Sequence, residues 1–264
     1  MKSAAPNMSL KSLNKAYQTD YSRFLPGAMY NVDQRRQKAK KILAVLADAL
    51  NGKMAGLRVV DVGCSTGIMT AFMAGHFGMT VGLDIDKEAL AYAAARHGSQ
   101  GLFFVNSDAL HLPVADESFD VAVCAHVYEH VPDAEQMMGE IRRVLKPGGL
   151  CFFSAGNRLS WMEPHYQLPL LSAIPKPLAH RYVRFMGRGE EYYEKHLTYW
   201  GLRRLLSGFH VTDYTAKIIH DPESYAATDV CPPGSRRQSL AKLLCRVAHW
   251  LNPTYVFILR KDTP

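Results

Sequence analysis

A chain of 264 residues, 48% apolar and 21% charged, has the size and composition of one large α/β domain, which excludes a disordered or fibrous chain. Its five cysteines (Cys64, Cys124, Cys151, Cys231 and Cys245) form no C-x-x-C pair, which speaks against a disulfide framework or zinc cluster and for reduced thiols in a cytoplasmic protein. The net charge of +7 would admit an acidic partner, but it reads as the surface of a basic soluble protein, and no nucleic-acid partner is expected.

The first 30 residues are polar, with Tyr17, Tyr21, Phe24 and Tyr30 interspersed. They hold no apolar core of a signal peptide, and no apolar run in the chain is long enough to cross a bilayer. A helix is predicted over 33–51, with Asp33 as N-cap and Ile42, Leu46 and Leu50 on one face. Its cations Arg35, Arg36, Lys38, Lys40 and Lys41 read as a solvated face. Residues 1–52 thus form an N-terminal cap and helix within a single domain over 1–264.

The stretch that organises the rest is Val59-Val60-Asp61-Val62-Gly63-Cys64-Ser65-Thr66-Gly67-Ile68. An apolar run of this length reads as a buried parallel strand, and a helical pattern follows the glycine turn. Gly63 and Gly67 suit a turn that needs positive φ and lets a ligand approach bare backbone. The spacing is not the dinucleotide G-x-G-x-x-G, and Asp61 would repel a pyrophosphate while suiting a ligand with a cationic amino group. It resembles motif I of the class I S-adenosylmethionine-dependent methyltransferases, with Ser65 in place of the middle glycine.

The second strand, over 80–83, is closed by Asp84, 17 residues beyond Gly67. An acidic residue at such a strand end grips a ribose diol, and charge-assisted bonds of that kind are the strong ones. Asp86 is placed to cap the helix over 87–96. The third strand, over 102–105, leads to Ser107-Asp108-Ala109. The fourth, over 120–124, leads to Ala125-His126-Val127-Tyr128-Glu129-His130 and a helix up to Leu145, which Lys146-Pro147-Gly148-Gly149 stops. The fifth runs over 150–155. Successive βα units specify an open, mostly parallel sheet with helices on both faces, and ligands bind beyond the carboxyl ends of its strands.

The run from Phe119 to Phe153 closely resembles the ubiquinone- and menaquinone-biosynthesis methyltransferases and the wider type 11 group. This resemblance implies a Rossmann-like, seven-stranded class I fold with S-adenosyl-L-methionine as cofactor. It places the cofactor against Asp61, Gly63, Cys64, Ser65 and Gly67, with Asp84 at the ribose and Asp108 at the adenine amino group. Ile85, Ala109 and Ala125 count among the cofactor-binding residues, and Tyr21 comes from a covering N-terminal segment. His126-x-x-Glu129-His130 resembles a Glu-x-x-Glu-His divalent-metal motif, with an imidazole that would favour softer ions such as zinc. No further ligand is identifiable, so no metal is assigned.

Residues 156–197 depart from a minimal methyltransferase. Pro164, Pro169, Pro175 and Pro177 break the segment early, and an amphipathic helix with Leu178, Tyr182 and Phe185 beside Arg181, Arg184 and Arg188 follows. Its position after the fifth strand makes it a substrate lid over the ligand edge. Methyl transfer is an in-line displacement that needs alignment and exclusion of water. An oxygen nucleophile also needs a base, for which His165 is the first candidate and His126 and His130 the next. A short helix over 198–207 and a strand over 211–219 follow. The segment over 239–251 is amphipathic, with Leu240, Leu243, Leu244, Val247 and Trp250 expected to pack in the core against a last strand over 255–259. The alternative is peripheral contact with a membrane surface.

The expected activity is methyl transfer to a small-molecule or lipid-like acceptor, on oxygen. Carbon or nitrogen transfer, and a non-catalytic cofactor-binding subunit, are the alternatives. A nucleic-acid amino-methylase is disfavoured because Cys124-Ala125-His126-Val127 replaces its Pro-Pro motif, and a dehydrogenase is disfavoured by the glycine spacing.

Overall fold

A computed structural model describes residues 19–263; the first part of the N-terminal cap, with Tyr17, lies outside the described residues. Two four-residue helical turns, α1 (Tyr21–Phe24) and α2 (Pro26–Met29), precede the long helix α3 (Val32–Ala49). The βα repeat follows as β1 (Arg58–Val62), α4 (Ile68–Ala74), β2 (Met79–Asp84), α5 (Lys87–Arg96), β3 (Leu102–Asn106), β4 (Phe119–Ala125), α6 (Ala134–Val144) and β5 (Leu145–Gly156). After it come a small hairpin, β6 (Met162–Glu163) and β7 (Leu168–Pro169), then α7 (Lys176–Phe185), α8 (Tyr199–Leu205), β8 (His210–Asp213), α9 (Thr215–His220), α10 (Arg236–Val247) and β9 (Thr254–Arg260).

The main sheet has seven strands in the order β3-β2-β1-β4-β5-β9-β8. All are parallel except β9, which runs antiparallel to both its neighbours. Period-two alternation sorts the side chains into two cores. Val60 and Val62 of β1, with Ala122 and Cys124 of β4, pack under α6 and α8. Val59, Val121 and Val123 face the other way, onto α3 and α4 through Ile42, Val45, Leu46, Met69 and Met73. The expected α/β fold with helices on both faces is the fold observed. Register sets Val62 level with Leu83 and Cys124, so the glycine turn, Asp84 and the end of β4 open on the same edge.

Local boundaries differ where a side chain captures a backbone amide. Asn31, not Asp33, caps α3, its side chain accepting from Gln34 N. Asp86 caps α5 as expected, accepting from the amides of Glu88 and Ala89. The strand expected over 211–219 ends at Asp213, whose Oδ1 accepts from Thr215 N at 2.8 Å and turns the chain into α9. β5 begins at Leu145, and an irregularity between Phe119 and Val121 on β4 takes up Lys146-Pro147-Gly148-Gly149.

Two predicted apolar faces are also corrected. In α10, Leu240, Leu243 and Val247 are exposed rather than in the core. The inward position is taken by Gln238, whose amide donates to Ile219 O, and by Ala241 and Leu244 on a cavity wall. In α7, Ala179 and Val183 are buried, whereas Leu178 and Phe185 are exposed. Ala179 and Val183 build a separate small core with Leu168, Leu171 and Tyr192.

Both ends of the 156–197 segment are tied by one phenol. Tyr128 is buried, donates to Gly156 O at 2.8 Å and accepts from Leu197 N at 3.0 Å. Tyr128→Phe leaves both backbone groups without that partner, at an expected cost of about 1–3 kcal/mol. A fall in the urea midpoint at unchanged m-value checks it.

Candidate active site

The turn after β1 is shaped by backbone conformation. Gly63 and Gly67 have φ of +78° and +68°, and Ser65, where the motif carries its middle glycine, also sits at +50°. A Cβ on Gly63 would meet Val127 Cγ2 at 2.5 Å. Gly63→Ala is expected to cost about 1–3 kcal/mol through the left-handed backbone and this clash. The double variant with Val127→Ala should recover only the clash, which thermal denaturation of the two proteins separates. At Gly67 the constraint is packing: a Cβ would meet Phe104 and Ala93 within 2.7 Å.

The turn delivers an amide to β2. Ser65 N donates to Asp84 Oδ2 at 2.6 Å, and Asp86 N donates to Asp84 Oδ1 at 2.8 Å. Both oxygens are thereby oriented, and each keeps a lone pair for a ligand hydroxyl. Burial pushes the Asp84 carboxyl up to about 6, against the pull of those two amides. Asp108, one strand over, accepts from Leu110 N at 2.9 Å.

These groups border one cavity of about 830 Å³, within the range of small-molecule sites. Its wall carries Gly63, Ser65, Asp84, Ile85, Asp108, Ala109 and Ala125 at the strand ends, Tyr21 from α1, and His126, His130 and His165. Three of the residues expected at the cofactor do not reach that wall. Asp61 lies beneath the turn, 1% exposed, accepting from the Thr70 hydroxyl at 2.6 Å; burial pushes its carboxyl up to about 7. The Cys64 thiol is buried and raised well above its usual range, and Gly67 is packed against α5 and β3.

Arg35, expected on a solvated face, is only 8% exposed and lines the cavity. Its Nε donates to Ala28 O, and none of the ion pairs among the described residues engages it. Burial lowers its pKa, against the pull of Tyr21, Asp61 and Asp84. The signal was in the sequence: Arg35 shares the 35, 39, 42, 46 helical stripe with Ala39, Ile42 and Leu46.

At the other end of the cavity, acidic and imidazole groups converge. Glu163 is fully buried and its Oε1 lies 2.7 Å from His165 Nδ1. Burial alone would lower the His165 pKa, but the Glu163 bond and the charges of Glu194, Glu163 and Glu129 outweigh it and the net shift is upward. Glu163 is held down at about 2, burial being outweighed by its bond to His165 and by the nearness of the His196 ring. His130 is pushed down to about 4 by burial, opposed by Glu129; its ring lies 4.8 Å from Tyr21 and 5.1 Å from His165. The Tyr21 phenol is raised by burial and by Glu194 and Glu129, and stays neutral. α1 is pinned over the site by Ser22 N donating to Asp86 Oδ2 at 2.8 Å.

The motif His126-x-x-Glu129-His130 does not gather around one point. His126 Nδ1 pairs with Glu129 Oε1 at 3.3 Å, while His130 faces Tyr21 and His165. Glu194 and His196 join the cluster without having been anticipated. Glu163 and His165 meet within the turn of the β6–β7 hairpin, where Glu163 also accepts from the Tyr166 amide at 2.7 Å.

Known proteins agree with this architecture. A family profile described as a methyltransferase domain, type 11, matches residues 60–153. Methyltransferase GfsG of Streptomyces halstedii is 43% identical over 100 residues, a match spanning 36% of each chain. A ubiquinone biosynthesis O-methyltransferase of Coxiella burnetii is 30% identical over 167 residues, 59% of this chain and 68% of that one. An S-adenosylmethionine dependent methyltransferase from Mesorhizobium loti shares the fold, with a TM-score of 0.53 and 21% identity over 79% of this chain and 93% of its own. The profile covers Asp61, Asp84, Asp108, His126 and His130, and stops short of Glu163, His165, Glu194 and His196. With that match, those relatives and the strand order β3-β2-β1-β4-β5-β9-β8, the chain belongs to the type 11 group of the class I, Rossmann-like methyltransferases.

Proposed function

We propose that the protein methylates a hydroxyl oxygen of a small-molecule acceptor with lipid-like character, with S-adenosyl-L-methionine as donor. The observation that carries this reading is one cavity that joins the carboxylates at the ends of β2 and β3 to the Glu163–His165 pair. Its donor end suits the nucleoside: the Gly63 backbone lies where a Cβ would be crowded, Asp84 is preset by two amides, and Arg35 is a buried cation free of a carboxylate. Asp84 would accept from the ribose hydroxyls, Asp108 from the adenine amino group, and Arg35 would hold the amino-acid carboxylate. Asp61, one layer below, positions the turn through Thr70. When bound, the sulfonium supplies an electrophilic methyl carbon.

The chain's own work is alignment, dehydration and proton removal. His165 borders the cavity while Glu163 stands behind it, an arrangement that orients the imidazole and leaves its other nitrogen for the acceptor hydroxyl. Tyr21 and His130 close the space between the two ends. Residues 156–197 supply Pro164 and His165 to the wall, which supports their role as the acceptor lid.

A lipid-like acceptor fits the exposed stripe of α10. Leu240, Leu243 and Val247 stand beside Arg236, Arg237, Lys242 and Arg246, and the same helix lines the cavity with Arg237, Ala241 and Leu244. No helix among the described residues is long and apolar enough to cross a membrane; the reading is contact with its surface. Leu243→Glu should reduce co-sedimentation with anionic vesicles, and unchanged sedimentation would exclude this face.

The activity is tested by calorimetry with S-adenosylhomocysteine and by transfer of a labelled methyl group to phenols and alcohols bearing apolar tails. Binding together with label on oxygen is expected. No binding, or equal label on matched acceptors lacking the hydroxyl, overturns the reading.

A further inference from the structure

Behind the acceptor end of the cavity the fold buries three carboxylates among imidazoles. Glu129, Glu163 and Glu194 are each at most 1% exposed. The side chains beside them are imidazoles: His126 pairs with Glu129, whose charge His130 also feels, His165 and His196 lie at Glu163, and Glu194 Oε1 is 4.0 Å from His165 Nδ1. Lys176 Nζ, which feels the charge of Glu194 and Glu163, donates to the backbone carbonyls of Tyr192 and Glu194 and lies over the Tyr192 ring. Carboxylates withdrawn from water in a protein are paired with charged or hydrogen-bonding groups or coordinate a metal.

A second observation bears on the choice. The His196 side chain is 2% exposed, and neither of its ring nitrogens has a hydrogen-bond partner. The closest approach, 3.5 Å from Nε2 to Glu163 Oε1, is too long for a good bond. A buried imidazole left this way is costly and asks for a partner outside the polypeptide. One ligand atom each from Glu163, His165 and His196 lies within 4.8 Å of the other two, the constellation a cation would draw together.

We propose that Glu163, His165 and His196, with Glu194 beside them, bind one divalent first-row transition ion of the zinc, cobalt or iron(II) class. Two imidazoles with carboxylate oxygen suit such ions, whereas magnesium and calcium prefer oxygen alone. The site is distinct from His126-x-x-Glu129-His130, and it does not depend on the proposed reaction. It does bear on that reaction, because the ion would take the atoms that share the Glu163–His165 hydrogen bond. The ion-loaded cluster and the proton-accepting pair are therefore alternative states of the same atoms.

The test is a cobalt titration of the full chain after dialysis against chelator. One equivalent should bind with ligand-field absorption in the visible, and zinc should displace it. His196→Ala and Glu163→Gln should each weaken binding at least about tenfold, whereas His249→Ala, whose ring pairs with Asp213, should titrate like the unsubstituted chain. Zinc should also raise the thermal midpoint of the unsubstituted chain and not that of His196→Ala. Absence of saturable one-equivalent binding, or full affinity in both cluster variants, overturns the proposal. If a variant does not fold, zinc X-ray absorption on the unsubstituted chain decides: imidazole scattering supports the site and its absence refutes it. Metal occupancy is read without any methyl transfer, so failure here and failure of the methyltransferase reading are separate results.

Discussion

His165→Gln should lower kcat by about 10²–10⁴-fold, the range that removal of a general base commands, and leave the affinity for S-adenosylhomocysteine unchanged. The assay is run on chelator-treated protein, so that only the proton-accepting state of the cluster is present. The imidazole must be neutral to accept a proton, and its pKa lies above the ordinary value because Glu163, Glu194 and Glu129 outweigh the effect of burial. Activity should therefore be low in acid and rise with pH through that elevated pKa to a plateau. Glu163→Gln removes the charge behind Nδ1 and leaves one amide oxygen for both the His165 ring and the Tyr166 amide, so the inflection should move to lower pH while the plateau falls, because the ring is less firmly oriented. A purely structural role for Glu163 would lower activity without moving the inflection, and the pH profile separates the two. A His165→Gln protein with full kcat would remove the base from this position.

The donor end of the cavity was legible because each of its parts is local. A strand of branched apolar residues, a turn with Gly63, and an acid at the next strand end are short-range patterns, and parallel pairing puts them side by side. Asp61 shows the limit of that logic. Its place in the motif pointed to the ligand, whereas alternation along β1 turns it to the face of Val59, where Thr70 takes its oxygen. Arg35 shows the converse: it reads as one of five cations in a run, and only its helical phase with Ile42 and Leu46 betrays that it is inward. Glu194 and His196 meet Glu163 and His165 across a hairpin strand, the helix α7 and their loops, a pairing that no periodicity encodes. The stripe of α10 is ambiguous in sequence for a different reason. An apolar face on a short helix has the same pattern whether it meets the core or something outside the chain.

Asp84→Asn should weaken S-adenosylhomocysteine binding about a hundredfold, roughly the loss of one to two hydrogen bonds to a charged group. Asparagine is nearly isosteric and keeps an acceptor for one of the two amides of Ser65 and Asp86, so the thermal midpoint is measured alongside and loss of affinity in folded protein reports the ligand contact. Asp84→Ala would also free those two amides, and its larger effect would mix folding with binding. The pH dependence adds an independent check. A carboxyl raised to about 6 by burial is largely protonated in mild acid, where one acceptor is lost to its own proton. Affinity should climb as pH rises through about 6 and level off above it, and Asp84→Asn should lose that step. Asp61, raised to about 7, could imprint a similar step, so the same titration on Asp61→Asn is the necessary comparison. If Asp84 touches the ribose and Asp61 only supports the turn, Asp61→Asn lowers the thermal midpoint and keeps most of the affinity. The opposite pattern, with binding lost in Asp61→Asn and retained in Asp84→Asn, would mean that the ligand enters beneath the glycine turn rather than across the strand ends.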